Sequence, residues 1–315
     1  MSAEGKTPFE VSWIDVDEES AGQRIDNFLM ARLKGVPKSH IYRVLRSGEV
    51  RVNSRRAAPS QRVAGGDRIR IPPLRVAERD EDTPAPHFRM PVIFEDESLL
   101  ALDKPAGLAV HGGSGVAHGA IESLRSMRPD ARFLELVHRL DRDTSGVLLI
   151  AKKRSALTAL HAMLRDRAVD KRYLAGVKGR FRNELQRVRL ALARRATSAG
   201  EKRMAVAEEG QEAETVLRRL ARGEEFSLLE AQLLTGRTHQ IRVHLAHLGH
   251  PVLGDDKYGD FELNRRLRKV GLRRMFLHAA RLSMAHPLTG ETLVLEAPLP
   301  GELARFSRAQ LGAVA

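Results

Sequence analysis

The stretch VHRLDRDTSGVLLIAKK, residues 137–153, joins a charged turn directly to an apolar strand. In the turn, Arg139, Asp141, Arg142 and Asp143 fill four of five consecutive positions, and the run GVLLIA follows at once. Charges packed this closely beside a buried strand destabilise a fold unless they pair with one another or meet a ligand. The pattern leaves two interpretations open: a surface turn with local ion pairs, or a site in which a carboxylate acts on a ligand.

The chain after residue 92 consists of short apolar runs of the same kind. LLALDKPAG, RYLAGVKG, FSLLEAQLL and ETLVLEAPL, which begin at residues 99, 172, 226 and 291, predict strands. Helical spacing is found at residues 157–167 and 240–249. Because long crossover helices at regular intervals are missing, we predict an α+β fold with a mainly antiparallel sheet. Residues 180–210 are charged and weakly periodic, which indicates irregular strands with loops.

A small separate domain is predicted before this region. Apolar residues have helical spacing over residues 24–33, and a second helix opens near residue 38, with Ser39 as its N-cap and Gly48 at its end. Alternation around residues 50–52 and 68–71 then predicts short strands with arginines on the outward positions. The polar, proline-containing stretch at residues 77–91 predicts a linker. We therefore expect domains at residues 22–85 and 92–310, joined by residues 86–91.

Most of the excess positive charge lies in this small domain. The whole chain has 53 Lys+Arg and 40 Asp+Glu, a formal net charge of +13. Residues 24–79 alone have 14 Lys+Arg against 4 Asp+Glu, a net of +10, which a random scatter of charge would not produce. Nucleic acid is the commonest partner of so basic a segment. The candidate nucleic-acid contacts are Lys38, Arg43, Arg46, Arg51, Arg55 and Arg56.

The chain contains no cysteine. This excludes disulfides, cysteine-ligated metals and a cysteine nucleophile, and it fits the reducing cytoplasm, which is the location we expect. No stretch reaches the roughly 18 apolar residues that a membrane span requires, and no signal peptide is visible, so no membrane partner is expected.

A second polar cluster, TGRTHQIRVHLAHLGHPVLGDDKYG, covers residues 235–259. A turn at residues 236–238 leads into a short helix that starts near His239 and carries Arg242 early in its length. The cluster also contains His244, His247 and His250, but it has neither an HExxH pattern nor paired carboxylates at ligand spacing. We therefore expect histidines on a helix face or at a helix cap, and no metal.

Several of these motifs together resemble one known family. HRLDRDTSGVLLIAKK is similar to the signature of the RluA-type pseudouridine synthases, and LALDKPAGLAVHGG, KRYLAGVKG and FLHAARLSMAHPLTGE resemble other motifs of that family. The segment RIDNFLMARLKGVPKSHIYRVLRSGEVRVNSRR resembles an S4 RNA-binding domain, which the family often carries at its N-terminus. The likeness covers nearly the whole chain after residue 20. Within the family it is strongest to the group that modifies large-subunit (23S) ribosomal RNA.

The resemblance implies a role for five positions. Asp141 falls on the family's catalytic aspartate, and Arg242 falls on the arginine that pairs with it. Tyr173 falls on the tyrosine that packs against the target base. Arg139 matches the arginine that enters the RNA stack as the uridine leaves, and Leu277 matches the apolar wall of the pocket.

The implied reaction is the isomerisation of uridine to pseudouridine, in which the N1–C1′ bond breaks and C5 bonds to C1′. No redox change occurs, so no cofactor is expected. Burial pushes a carboxylate toward its neutral form, and a nearby Arg242 would hold Asp141 as an anion. Attack by Asp141 on C1′ or C6 and removal of the C2′ proton all stay open. Asp143 does not fall on the family's aspartate, although spacing alone does not separate the two.

Three other classes of protein fit less well. An RNA-binding protein with a decayed catalytic domain predicts a damaged motif, yet Asp141, Arg139, Tyr173 and Arg242 are all present. A relative of the aminoacyl-tRNA synthetases requires an ATP site, and neither a HIGH-like nor a KMSKS-like motif occurs. A metal-dependent nuclease would use the histidines as metal ligands, but the cluster at residues 235–259 has no metal-ligand spacing. The expected partner is ribosomal RNA or its precursor, and a monomer without a small-molecule cofactor is expected.

Overall fold

A computed structural model describes residues 11–33, 36–74, 86–112, 118–196 and 202–312. The chain divides into two compact units, residues 1–84 and 85–315. Among the helices of the described residues, none has both the length and the apolar character that a membrane crossing requires.

The first unit contains two helices and a four-stranded antiparallel sheet. Its elements are β1 (Ser12–Asp15), a single 3-10 turn (Glu18–Ser20), α1 (Ile25–Arg32), α2 (Lys38–Ser47), β2 (Arg51–Val52), β3 (Arg55–Arg56) and β4 (Arg68–Ile71). The strand order is β1-β4-β2-β3. One face of the sheet packs with both helices in a core that includes Phe28, Leu29, Ile41, Leu45 and Ile69. The strand β1 lies before residue 22, where the sequence predicts the small domain to start, yet it pairs with β4.

Several turns of this unit contain residues with positive φ, and one of them is at Gly48, where the sequence predicts the helix to end. Gly48 ends α2 with φ of 76°, a left-handed conformation that glycine adopts without strain. Asn53 and Ser54, with φ of 47° and 68°, form the tight connection between β2 and β3.

The start of α2 differs from the prediction. The helix begins at Lys38, Pro37 occupies the N-cap position, and no side chain caps the helix there. The prediction of Ser39 as the N-cap is therefore wrong. The carbonyl of Pro37 accepts the amides of His40 and Ile41 at 2.9 and 3.2 Å. Pro37 itself lies outside the helix, with ψ of 138°, and its carbonyl is the first acceptor of the helical hydrogen bonds.

The predicted linker, residues 86–91, packs on the second unit. Met90 is buried in the core of that unit. The amide of Phe88 donates a 2.9 Å hydrogen bond to Oγ of Ser123, and the carbonyl of Pro91 accepts the amide of Asp103 at 2.9 Å. The predicted domain boundary near residue 85 lies outside the described residues.

The second unit contains a large sheet with helices on both faces. Its strands are β5 (Val92–Glu95), β6 (Leu99–Lys104), β7 (Glu135–Leu136), β8 (Ser145–Ala151), β9 (Asp170–Lys178), β10 (Leu185–Arg189), β11 (Leu192–Ala196), β12 (Lys202–Val206), β13 (Glu214–Arg222), β14 (Phe226–Leu233), β15 (Leu277–Ala285) and β16 (Thr292–Glu296). Its helices are α3 (Ala120–Met127), α4 (Arg154–Arg165), α5 (Gln240–His247), α6 (Phe261–Lys269) and α7 (Gly301–Leu311).

Ten of these strands form one sheet in the order β10-β13-β14-β9-β15-β8-β6-β5, with β16 paired to β15 and β7 paired to β8. Within the described strands, β15 and β8 make the parallel pair, and the other pairs are antiparallel. The predicted α+β fold with a mainly antiparallel sheet is confirmed. The hairpin of β11 and β12 forms a separate, regular pair, so the described part of residues 180–210 is more ordered than its weak periodicity indicates.

The strand β8 lies in the middle of the sheet and is buried along its whole length. Leu148 and Ile150 pack in the core with α3 and α5, whereas Val147 and Leu149 pack on the other face with α4. A strand covered on both faces needs an uninterrupted apolar run, which is what GVLLIA provides. At its start, Gly146 has φ of 108°, and a Cβ there would overlap the backbone of Ala279 in β15. Glycine therefore permits the parallel pairing.

Candidate active site

A cavity of about 810 Å³ opens where three neighbouring strands and α5 meet. Tyr173 lies on β9, and its register partner Ala279 lies on β15, so Leu277 at the start of β15 faces the same side as Tyr173. The loop that carries Asp141 leads into β8, the parallel neighbour of β15. The turn after β14 leads into α5 and presents Arg242. Arg139, Asp141, Tyr173, Arg242 and Leu277 all line this cavity.

The charged centre of the cavity is an ion pair between Asp141 and Arg242. Nη1 of Arg242 donates to Oδ2 of Asp141 at 2.8 Å, and these residues are 101 positions apart in the chain. The side chain of Arg242 is 7% exposed and that of Asp141 is 23% exposed. The carboxylate therefore keeps one edge open to the cavity while a nearly buried cation faces its other oxygen.

Arg242 is held from behind by a second carboxylate, Asp255. Nε and Nη2 of Arg242 donate to the two oxygens of Asp255 at 2.7 and 2.9 Å. Burial raises the pKa of Asp255, but the hydrogen bonds from Arg242 and from the amides of Lys257 and Tyr258 outweigh it, and the pKa lies below the usual value. Burial also works to lower the pKa of Arg242, and the two carboxylates raise it above its usual value. The guanidinium is therefore always charged and has one orientation.

His239 approaches the other oxygen of Asp141. Its Nε2 lies 3.9 Å from Oδ1 of Asp141, and its Nδ1 shares a 2.8 Å hydrogen bond with the hydroxyl of Tyr258. Burial lowers the pKa of His239, and the charge of Asp141 only partly opposes this. Burial therefore favours the neutral imidazole, whose Nδ1 faces Tyr258 and whose Nε2 faces Asp141. His239 is also the N-cap residue of α5, with φ of 56°.

Tyr173 and Leu277 form an apolar side of the cavity beside Asp141. They are 8% and 3% exposed. Burial, together with the negative charge of Asp141, raises the pKa of Tyr173, so its hydroxyl stays protonated. Arg139 is exposed and lies among the residues that line the cavity. An aromatic ring, an aliphatic wall and a carboxylate thus face one space.

The structure separates the two aspartates of the charged turn. Asp143 is 42% exposed and pairs with its neighbour Arg142 at 3.2 Å, and it is not one of the residues that line the cavity. Asp141 points inward and pairs with Arg242. The local ion pair of the first interpretation is found at Asp143, and Asp141 faces the cavity, where the second interpretation expects a carboxylate.

Lys104 ties this turn to the preceding motif. Its buried Nζ donates to the carbonyls of Pro105, Leu108 and Arg142 at 2.8, 2.7 and 3.1 Å. Burial lowers the pKa of Lys104 to about 7, and the nearby charge of Asp143 opposes the shift. Three carbonyl acceptors match the three donors of an ammonium group, which favours the charged form. Through its hydrogen bond to the carbonyl of Arg142, Lys104 thus fixes the loop that carries Asp141 to the end of β6.

Two histidines of the second cluster, His244 and His250, have ordinary structural contacts. His244 is buried between Oγ1 of Thr215 and the carbonyl of Leu190, and His250 bonds the carbonyl of Lys178. Across the described ranges, no group of three or more His, Cys, Asp or Glu side chains is arranged to hold a metal ion.

The basic candidates of the first unit lie on three of its elements, α2, β2 and β3. Arg43 and Arg46 are exposed on α2, where Arg43 contacts His40 and Arg46 lies 5.8 Å from the ring centre of Tyr42. Arg51, Arg55 and Arg56 are exposed on the strands β2 and β3. Lys38 begins α2, and its side chain lies outside the part of the chain that the structure describes.

Sequence patterns did not single out Asp255, Tyr258 or Lys104. All three stand in quoted motifs, GDDKYG and LALDKPAG, but nothing in the spacing of those motifs connects them to Asp141. Their roles depend on contacts between distant elements.

Two family models match this chain. The family described as RNA pseudouridylate synthase matches residues 98–247, and the S4 domain matches residues 23–69. The first match contains Asp141, Tyr173 and Arg242.

Curated relatives and solved structures agree with these matches. Ribosomal large subunit pseudouridine synthase C from Escherichia coli (strain K12) is 50% identical over 303 residues, which cover 94% of this chain and 95% of the relative. The protein of the same name from Yersinia pestis is 52% identical over 299 residues, 93% of each chain. Human RNA Pseudouridylate Synthase Domain Containing 1 has a TM-score of 0.57 at 27% identity, over 69% of this chain and 86% of that one.

Proposed function

This chain belongs to the RNA pseudouridylate synthase family and is an RNA pseudouridine synthase, and from that premise we propose that it isomerises specific uridines of large-subunit (23S) ribosomal RNA with Asp141 as the catalytic carboxylate. The substrate is supported by two relatives of 50% and 52% identity that are named for the ribosomal large subunit. The observation that carries the catalytic role is the 2.8 Å ion pair that holds Asp141 at the cavity beside Tyr173.

The reaction needs one ionised carboxylate at the junction of sugar and base. The N1–C1′ bond breaks, the base turns, and a C5–C1′ bond forms, while C5 loses a proton and N1 gains one. An anionic Asp141 serves either route, by attack on C1′ or C6 or by removal of the C2′ proton. Arg242 favours the anion through its fixed positive charge, since Asp255 holds the guanidinium in place.

Tyr173 and Leu277 are proposed to hold the uracil ring. Both are buried beside Asp141, and an aromatic face offers stacking to a base that has left its own stack. The protonated hydroxyl of Tyr173 is able to donate a hydrogen bond, because its pKa is raised by burial. In this proposal the Tyr173 ring keeps the uracil oriented while the base rotates to present C5, instead of N1, to C1′.

Arg139 is proposed to fill the gap that the flipped uridine leaves. Extrusion of a base from a helix costs a few kcal/mol. A planar guanidinium at the exposed side of the cavity offsets part of that cost by stacking between the neighbouring bases.

The first unit is proposed to bind RNA mainly through phosphates. Its exposed arginines on α2, β2 and β3 offer charge without a fixed pattern of base contacts. We propose a cytoplasmic location, which is supported by the bacterial relatives named for the ribosomal large subunit. We also propose that it acts as a monomer without a cofactor, which light scattering and turnover in EDTA will test.

The proposal is tested by tritium release from C5-labelled uridine in 23S ribosomal RNA. The wild-type protein is expected to release tritium, and Asp141→Asn is expected to release none, because the amide keeps the size of the side chain but lacks its charge. Asp143→Asn is the matched control and should retain substantial activity, since Asp143 is exposed and pairs with its neighbour. Substantial release by Asp141→Asn, or none by a folded Asp143→Asn protein, contradicts the catalytic role.

Mapping of the modified positions tests the substrate. Ribosomal RNA from a strain without this gene should lack pseudouridines that return on complementation with the wild-type gene. Unchanged 23S ribosomal RNA in the deletion strain contradicts the proposed substrate.

A further inference from the structure

A row of four side chains crosses the outer face of the sheet in the first unit. Trp13 on β1 is the register partner of Arg70 on β4, Arg70 is the partner of Arg51 on β2, and Arg51 is the partner of Arg56 on β3. Directly paired residues of antiparallel strands point to the same face. The other face carries Ile69 and the core, so this row lies on the side that the helices do not cover. At about 4.8 Å per strand, the row spans roughly 14 Å.

Three arginines in register destabilise a small sheet. Like charges directly opposite one another on neighbouring strands repel, and β2 and β3 have only two residues each. Within the described part of the chain, no carboxylate lies within ion-pair distance of Arg51, Arg56 or Arg70. Such an arrangement is relieved when a polyanion lies across it.

Contacts with the backbone explain only part of this arrangement. Arg56 donates to the carbonyl of Ser47 at 2.9 Å, and Arg70 donates to the carbonyl of Glu49 at 3.0 Å. Each contact uses one of the five N–H donors of a guanidinium. Arg51 also contacts the carbonyl of Ser54, at 3.5 Å. Most donors of the row therefore stay available, on the exposed Arg51 and Arg56 and the half-buried Arg70.

Trp13 adds a flat aromatic ring at one end of the row. It is the one tryptophan of the chain, and it is 44% exposed. The guanidinium of Arg68 lies 4.9 Å from its ring centre, and Arg68 makes a loose 3.9 Å contact with the exposed Asp15. An exposed indole next to a row of arginines has the composition of a surface for unpaired nucleic acid, where rings stack on bases and arginines contact phosphates.

We propose that the Trp13 face, defined by Trp13, Arg51, Arg56, Arg68 and Arg70, binds a single-stranded segment of the RNA substrate. Trp13 stacks on one unpaired base, and the arginines contact the phosphates on one side of it. This inference rests on the proposed RNA substrate and adds an unpaired element to what the protein recognises. A duplex does not fit as well, because its bases are already stacked and offer only their edges.

The single tryptophan makes a direct test possible with the full-length wild-type protein. The probe is oligocytidylate of about 12 nucleotides, which contains no uridine and so is no substrate. We expect oligocytidylate to quench the emission of Trp13 in a saturable way. An RNA duplex of the same length and inorganic polyphosphate, which has no base, are expected to quench much less. Absent quenching by oligocytidylate, or equal quenching by the duplex or by polyphosphate, overturns the proposal.

Variants measure the contribution of each side chain through the fluorescence anisotropy of labelled oligocytidylate. Trp13→Ala should weaken binding roughly 5- to 150-fold, the range for loss of one stacked base, and Trp13→Phe should weaken it less. Arg51→Gln should lower the slope of log affinity against log salt by about 0.7. Phe261→Ala removes another exposed aromatic ring, in the second unit, and should leave the affinity unchanged. Wild-type affinity in Trp13→Ala contradicts the stacking contact. If Trp13→Ala does not fold, quenching of the wild type and the affinity of Trp13→Phe decide the question.

This test is independent of the catalytic one. Tritium release from 23S ribosomal RNA without quenching by oligocytidylate rejects the Trp13 face and leaves the proposed function standing. Quenching by oligocytidylate without tritium release supports the Trp13 face and rejects the proposed function.

Discussion

Asp255 holds Arg242 through two nearly parallel hydrogen bonds and leaves Nη1 of the guanidinium to Asp141. Asp255 itself is buried, and the amides of Lys257 and Tyr258 donate to its Oδ1 at 2.8 and 3.0 Å. The position of Asp141, the proposed catalytic carboxylate, therefore depends on Arg242, and the orientation of Arg242 depends in turn on the buried Asp255. A fork of this kind has little freedom to rotate, because both of its edges are occupied.

Asp255→Asn should loosen Arg242 and thereby displace Asp141, which pairs with it. The amide cannot accept both hydrogen bonds of Arg242, and it leaves a buried cation with one carboxylate fewer. We expect the rate of pseudouridine formation to fall about 10- to 100-fold, since a small displacement of a reacting group is enough for this. The free energy of unfolding should fall by about 3 kcal/mol. Single-turnover kinetics and urea unfolding measure the two effects.

Asp256→Asn is the matched control for that variant. Asp256 is the next residue, is 76% exposed and pairs only with the exposed Arg268 among the described residues. Its loss should change the free energy of unfolding by less than about 0.5 kcal/mol and leave the rate unchanged. Equal effects of the two variants would show that the fork is not what positions Asp141.

Tyr173 is expected to contribute mainly through its ring. Tyr173→Phe keeps the ring and removes the hydroxyl, so part of the activity should persist. Tyr173→Ala removes the stacking surface and should lose roughly a further 10- to 100-fold in kcat/KM. Tritium release and pseudouridine yield are measured together, since a variant that releases no tritium but cleaves the N1–C1′ bond would assign proton transfer at C5 to the hydroxyl. Wild-type turnover by both variants rejects the role of Tyr173.

Lys104 is expected to act through the loop that carries Asp141. Lys104→Met fills a similar volume but leaves the carbonyls of Pro105, Leu108 and Arg142 without their donor. We expect a loss of about 3 kcal/mol in the free energy of unfolding and a lower kcat with little change in RNA affinity. Lys153→Met is the control, because Lys153 is 46% exposed and pairs with an exposed glutamate. Similar stability losses in both variants would count against the anchor.

Acid should weaken the second unit through His278. This side chain is fully buried between Oγ of Ser145 and the carbonyl of Ala297, and burial lowers its pKa from 6.5 to about 4. The unfolded chain therefore binds a proton between pH 6.5 and 4 that the folded chain does not. The contribution to stability is complete above pH 6.5 and is lost as the pH falls toward 4, by up to about 3 kcal/mol.

Urea unfolding at several pH values between 7 and 4.5 measures this loss. His278→Gln should flatten the pH dependence, whereas His161→Gln should not, because His161 is exposed. The same slope in His278→Gln and in the wild type would assign the acid sensitivity to other groups, such as His138, whose pKa burial also lowers to about 4.

Local patterns in the sequence predicted α1, α2, α4 and α5 and several of the strands, but not α3, α6 or α7. The run GVLLIA is apolar at every position because β8 is covered on both faces. The helical spacing of residues 240–249 predicts α5, but it does not predict that the first six residues of that helix are all buried. The start of α2 was predicted wrongly, because Ser39, a common capping residue, lies two residues after Pro37, which occupies the N-cap position. The resemblance of whole motifs also separated Asp141 from Asp143, which spacing does not.

Only the tertiary structure decided which of these elements meet. Periodicity reports how one element is buried, and it carries no information on which distant element covers it. Asp141 and Arg242 are 101 residues apart, and they meet because β15 inserts in parallel beside β8 and brings β9 and α5 to the same end of the sheet. The Trp13 face depends in the same way on register, since β1 and β4 are distant in the chain and a shift of one residue would turn Trp13 into the core.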